Sequence, residues 1–115
     1  MRVEEVDSLD DPRMDDYRVV KEAALLQGRG VFIAEGRLVV ERLLEPSCRF
    51  EIKSMLLTPA RLDALRPDIE RSGKNPLVYL VSRETMDGVV GFKFHQGAVA
   101  AGRIGPGLHV DDVLH

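Results

Sequence analysis

The stretch Gly30 to Glu45, GVFIAEGRLVVERLLE, constrains the fold more than any other part of the chain. Val31, Phe32 and Ile33 are β-branched or aromatic and suit a buried strand. Glu35 and Gly36 interrupt that run. From Val39 the apolar residues fall at Val39, Val40, Leu43 and Leu44, the three-and-four spacing of one helical face. Arg37, Glu41, Arg42 and Glu45 take the opposite face, and Pro46 marks the stop. A strand that feeds a helix through a glycine directs the N–H groups of the first helical turn at whatever lies above it, and the helix dipole favours an anion there. Two readings of the turn stand: a seat for an anion such as a nucleic-acid phosphate, or a simple connection whose geometry alone demands the glycine.

A chain of 115 residues predicts one domain with room for a core that needs no disulfide staples. Its 44% apolar and 30% charged residues are ordinary for a globular protein. It has no long apolar segment and no signal-peptide pattern, so the cytoplasm is the expected compartment and no membrane partner is expected. Cys48 has no second cysteine to pair with and reads as a packing residue or bystander. His95, His109 and His115 are too widely spaced to suggest a metal site.

The net charge of −3 hides an uneven distribution. Residues 1 to 16 carry seven acids against Arg2 and Arg13, whereas Tyr17 to Val110 carries fourteen Lys and Arg against ten Asp and Glu. The body of the domain is therefore mildly positive, which permits a local basic surface.

Residues 1–10 read as an acidic, flexible lead-in. Asp11-Pro12 reads as a helix start, with Asp as N-cap and Pro at the first helical position. The helix that follows turns Tyr17, Val20, Ala24 and Leu25 inward and ends at Gly28 and Gly30. After the strand and helix already described, Phe50 to Thr58 reads as a strand. Its Met55, Leu56 and Leu57 look buried on both faces, as in a parallel or central strand. Thr58-Pro59 repeats the cap-plus-proline device, and Leu62, Leu65 and Ile69 continue it at helical spacing, with Pro67 expected to kink or split the helix. Ser72 to Pro76 is a turn cluster and Leu77 to Val81 a third strand. Ser82 then caps a short helix that Asp87-Gly88 closes. Phe92 and Phe94 alternate with Lys93 and His95, and Ala98 to Ile104 forms a last, small-residue strand that Gly105, Pro106 and Gly107 terminate. Strands alternating with helices predict an α/β fold, a three-layer α/β/α sandwich with a mostly parallel central sheet.

Three strand-to-helix junctions recur in this layout: Glu35-Gly36-Arg37, Thr58-Pro59 with Arg61, and Ser82-Arg83. In open α/β sheets ligands lie beyond the carboxyl ends of the strands, so the three turns are expected on one edge, each with an arginine near a helix start. Arginine beside backbone N–H groups suits a phosphate, and Lys93, His95 and Gln96 can add donors if their loop reaches the same edge. Glu35 can accept from the exocyclic amine of a base, orient Arg37, or cap its own helix. There is no glycine-rich nucleotide loop, nucleophile elbow or paired-histidine motif. No catalytic residue is read, and His95 is taken as a structural or RNA-contacting residue.

Tyr17-Arg18, FIAEG at Phe32 to Gly36 followed by VVERLL, MLLT-x-x-R at Met55 to Arg61, and GFKFHQGAVAAGR at Gly91 to Arg103 occur here in that order. Together they resemble the N-terminal substrate-binding domain of SpoU-type (TrmH-like) RNA 2′-O-ribose methyltransferases, over roughly Ser8 to Arg103. The resemblance implies a fold like that of kink-turn-binding ribosomal proteins and a structured RNA partner, ribosomal or transfer RNA. It carries Glu35, Gly36, Phe92, His95 and Gly97 across as motif positions. The RNA-binding set expected on both grounds is Arg18, Glu35, Gly36, Arg37, Arg61, Arg83, Lys93 and His95. Gln96 departs from the arginine common in the family and removes a charge from that loop.

The resemblance also implies a C-terminal knotted domain that holds S-adenosylmethionine through asparagine-rich and glycine-rich motifs, and those motifs do not occur in this sequence. Residues 11–105 are therefore expected to be the substrate-binding domain and 106–115 the start of a linker to a methyltransferase domain. No cofactor is expected on this chain, which is expected not to transfer a methyl group by itself. The alternative is a protein-interaction or structural module on the same fold.

Overall fold

The computed structural model describes residues 1–8, 10–18, 30–90 and 97–103. Five strands form one sheet: β1 (Arg2–Glu5), β2 (Val31–Glu35), β3 (Glu51–Leu57), β4 (Leu77–Leu80) and β5 (Ala98–Arg103), in the order β1-β4-β3-β5-β2. A 3-10 turn (Pro12–Met14) leads into α1 (Asp15–Arg18). The other helices are α2 (Arg37–Leu44), α3 (Pro59–Ser72) and α4 (Arg83–Val90).

The sheet is mixed, which corrects the expected mostly parallel arrangement. β1 and β3 run parallel to β4, but β5 runs antiparallel to both β3 and β2. The three layers are as expected. On β5 alternate residues serve opposite faces: Ala98 and Ala100 join Val40, Leu43, Leu62, Leu65 and Ile69 beneath α2 and α3. Val99 and Ala101 join Met14, Tyr17, Met86 and Val89 beneath α1 and α4. The period-two geometry of a strand makes this division, and a strand covered on both faces is apolar throughout. β3 is the central strand, as its MLL run predicts, and Met55, Leu56 and Leu57 are all fully buried.

Three further expectations are corrected. The acidic lead-in is in part strand β1, paired with β4 from Arg2↔Leu77 to Glu5↔Leu80, and Val6 beyond it is buried. Its charged side chains stay at the surface, where Arg2 and Arg13 both pair with Glu4, a composition suited to an edge strand. α3 runs through Pro67 without splitting. Pro67 and Asp63, whose carbonyl loses its helical partner, are both exposed, so water can satisfy that carbonyl, while buried Leu62, Leu65 and Ile69 hold the helix to the sheet on either side. α4 continues past Asp87-Gly88 to Val90, because buried Met86 and Val89 anchor the two turns around the exposed glycine.

The helix starts behave as the sequence implies. The Asp11 carboxylate accepts from the Arg13 N–H, and Thr58 Oγ1 accepts from the Arg61 N–H. Ser82 Oγ accepts from the Thr85 N–H at 3.1 Å. The expected helical positions Val20, Ala24, Leu25 and Gly28, the Phe92 to Gln96 loop and the 106–115 linker lie outside the described residues. Among the described residues no helix is long and apolar enough to cross a membrane, and no group of three His, Cys, Asp or Glu is placed to hold a metal.

Candidate nucleic-acid interface

Because β1, β2, β3 and β4 all run in one direction and β5 runs in the other, one edge of the sheet gathers four carboxyl ends and one amino end. Backbone bonds extend the pairing to the rim itself. The Gly36 N–H donates to Ala98 O at 3.1 Å, the Thr58 N–H to Gly97 O at 3.1 Å, and the Val81 N–H to Leu57 O at 3.0 Å. The first turns of α2, α3 and α4 therefore rise side by side from one edge, with their positive dipole ends on the same side of the molecule. α3 and α4 each cap themselves with a hydroxyl. α2 begins at Gly36, whose φ of 91° and ψ of 155° suit glycine alone, and no side chain caps it.

Arg37, Arg61 and Arg83 all stand on this edge, as the recurrence of the junctions predicts. They are not equally close. Arg61 Cγ and Arg83 Nη2 both approach Gly97, at 3.0 and 3.4 Å from the point its Cβ would occupy, and Thr58 Oγ1 stands 2.9 Å from the same point. Two side chains from helices on opposite faces of the sheet thus meet over the rim. Arg37 lies beyond β5, at the end of β2, about two strand spacings or 10 Å from β3. Its guanidinium faces Glu41 one turn along α2, at 3.5 Å. Both partners are substantially exposed, so this pair contributes little to stability and competes weakly with an incoming anion.

Glu35 ends β2 with its side chain exposed, one residue before the cap position. It does not cap α2, which removes one of the three readings open to it and leaves the other two. Arg18 is not brought to this edge. Its guanidinium bonds Asp15 and the carbonyl of Asp11. Neighbouring Tyr17 and Asp16 reach Ser54 at 2.5 Å and Lys53 at 2.7 Å, which places α1 over the face of the sheet. Lys93 and His95 lie outside the described residues. Sequence reasoning carried Gly97 only as a motif position. Its place between two arginines depends on which way β5 runs, and no local signal in the chain gives that direction.

No family model matches the chain. Two curated relatives, one from Mycobacterium bovis and one from Mycobacterium tuberculosis, are each named an uncharacterised tRNA/rRNA methyltransferase. Both are 35% identical over 116 residues, covering 97% of this chain and 39% of their own length. Another relative from Mycobacterium tuberculosis, with the same description, is 36% identical over 107 residues, covering 89% of this chain and 36% of its own length. The fold matches that of an AdoMet-bound rRNA methyltransferase from Sinorhizobium meliloti with a TM-score of 0.65 at 22% identity, over 90% of this chain and 37% of that one. It also matches an RNA 2′-O-ribose methyltransferase with a TM-score of 0.62 at 20% identity, over 91% and 39%. The chain spans about two-fifths of the length of the curated relatives it matches. Those relatives and the shared fold agree with the motif series from Tyr17 to Arg103: over nearly its whole length the chain is similar to part of the tRNA/rRNA methyltransferases.

Proposed function

We propose that this chain is the RNA-recognition part of a SpoU-type 2′-O-ribose methyltransferase acting on ribosomal or transfer RNA. The observation that carries the reading is the meeting of Arg61 and Arg83 at Gly97, on the edge where three helix starts gather. Guanidinium forks and helix-start dipoles both favour phosphate oxygens, and such contacts position an RNA without reading its sequence. Arg37 supplies a further cation along the same edge, and Glu35 an acceptor for a base amine. On this reading S-adenosylmethionine belongs to a separate methyltransferase domain, and the present residues hold the RNA that the other domain modifies.

The test is a titration of the chain with labelled transfer RNA and with ribosomal RNA fragments. With about three phosphate contacts, affinity falls roughly 20- to 40-fold between 50 and 200 mM salt through counterion release. Charge reversal by Arg61→Glu or Arg83→Glu weakens binding across sequences and flattens that salt dependence. Absence of binding to either class of RNA at low salt, or binding indifferent to both reversals, refutes the proposal. If charge reversal at this edge instead abolishes a protein complex while RNA binding is nil, the protein-interaction reading takes its place.

A further inference from the structure

Gly97 does more at the rim than turn the chain. Its φ of +66° lies in the left-handed region, and its missing side chain leaves the space that Thr58 Oγ1, Arg61 Cγ and Arg83 Nη2 close around. The backbone has little freedom to retreat from an added Cβ, because the Gly97 carbonyl accepts from the Thr58 N–H at 3.1 Å. Thr58 is equally constrained: its Oγ1 caps α3 through the Arg61 N–H, so moving it disturbs the first turn that carries Arg61. A Cβ at this position is therefore accommodated by moving the Arg61 stem and the Arg83 guanidinium apart.

We propose that Gly97 is the positioning residue that joins Arg61 and Arg83, one from each helical layer, into a composite seat for a single RNA phosphate. The inference rests on the RNA-binding reading above and makes it more specific. The stem of Arg61 and the guanidinium of Arg83 converge on one point beside Gly97, so a phosphate seated there lies within reach of both side chains. The contributions of the two arginines are then coupled, because removing either one opens the seat. Separate phosphate contacts would instead add.

The experiment is a double-mutant cycle on RNA affinity, read by fluorescence anisotropy with the transfer RNA and ribosomal RNA fragments already named. Arg61→Gln and Arg83→Gln each lower affinity about tenfold, and the double substitution lowers it only about twofold beyond either single one. Gly97→Ala lowers affinity about as much as either arginine substitution, and in its background the two arginine effects become additive. Gly73→Ala separates backbone strain from this role: Gly73 has a φ of +69°, yet nothing lies within 4 Å of its Cβ position. It costs similar thermal stability and leaves RNA affinity within about twofold of the parent. Additive arginine effects in the parent chain overturn the inference, as does a Gly97→Ala chain that binds like the parent. If Gly97→Ala does not fold, the arginine cycle alone decides. If the parent binds none of these RNAs, the RNA-recognition reading fails and the composite seat fails with it. If RNA binds but the cycle is additive, only the composite seat is lost.

Discussion

Lys74 lies in the turn after α3, and its ammonium donates to three backbone carbonyls: Leu43 O at 2.5 Å, Cys48 O at 3.1 Å and Phe50 O at 3.1 Å. Leu43 belongs to the last turn of α2, whose carbonyls have no helical partner and whose dipole favours a cation. One side chain thus ties the end of α2 to the loop that enters β3. Lys74→Met keeps most of the aliphatic stem and removes the ammonium. Three hydrogen bonds from a charged donor, at about 1.5 kcal/mol each, amount to about 4 to 5 kcal/mol before exposure and entropy are set against them. Lys74 is only half-buried, so water replaces part of this, and the freed side chain regains up to about 2 kcal/mol of rotamer entropy. The expected loss is about 2 kcal/mol, or roughly a 10 °C fall in Tm for a domain of this size. Urea unfolding checks it, with the midpoint falling while the slope stays constant. Lys74→Arg does not restore the loss, because a planar fork cannot converge on three carbonyls as a point charge does. A change below about 0.5 kcal/mol in Lys74→Met would refute the reasoning.

Gly102→Ala places a Cβ 2.3 to 3.0 Å from three ring atoms of Phe32, its cross-strand partner, and pushes that ring out of its edge-to-face contact with Phe50 at 5.1 Å. Overpacking of this kind costs about 1 to 3 kcal/mol in urea unfolding, and a neutral outcome would show that Phe32 has another place to go. Hydrogen bonds from the Arg13 side chain and N–H hold the Asp11 carboxyl at about 2, well below its ordinary value of 3.8. Its folded-state pKa is depressed, so its stabilising contribution is full above pH 4 and is lost as pH falls toward 2. A carboxyl carbon resonance titrating near 4 in the native chain would refute the pairing. Arg103 sits at the far end of β5, facing Glu51 at 3.6 Å, on the edge opposite Gly97, so Arg103→Gln leaves RNA affinity and its salt dependence unchanged in the anisotropy titration.

Local chemistry in the sequence located most elements. Thr58-Pro59, Asp11-Pro12 and Ser82 announce helix starts because a side-chain acceptor is needed where backbone N–H groups have none, and each has its bond in the structure. The apolar spacing after Gly36 gives α2, and Met55 to Leu57 gives a central strand. What was not legible is set by partners distant in the chain. Arg2 to Glu5 carries three charges in four residues and reads as loop, yet it pairs with β4 because Leu77 to Leu80 offers an open edge. Pro67 breaks a local rule, but three buried neighbours outweigh one missing hydrogen bond on a wet face. At the candidate site the three junction arginines could be placed on one edge from chain order alone. The approach of Arg61 and Arg83 to one point required tertiary packing, whereas Arg18 is held by Asp15 and the Asp11 carbonyl just before it in the chain.

The direction of β5 links the fold to the site. A run such as Ala98 to Gly102, buried on both faces, has the same sequence signature whether its neighbours run with it or against it. Alternation of strand and helix favoured the parallel choice. Had β5 run parallel to β3, its carboxyl end would lie beside Thr58, bringing Arg103 to the rim and sending Gly97 to the opposite edge. The antiparallel register pairs Leu57 with Ala98 and puts Gly97 against Thr58. A residue without a side chain then occupies the place that side chains from α3 and α4 both approach. Two arginines can meet there only because nothing stands between them. The direction of β5, which chain order misjudged, is thus the feature on which the composite phosphate seat depends.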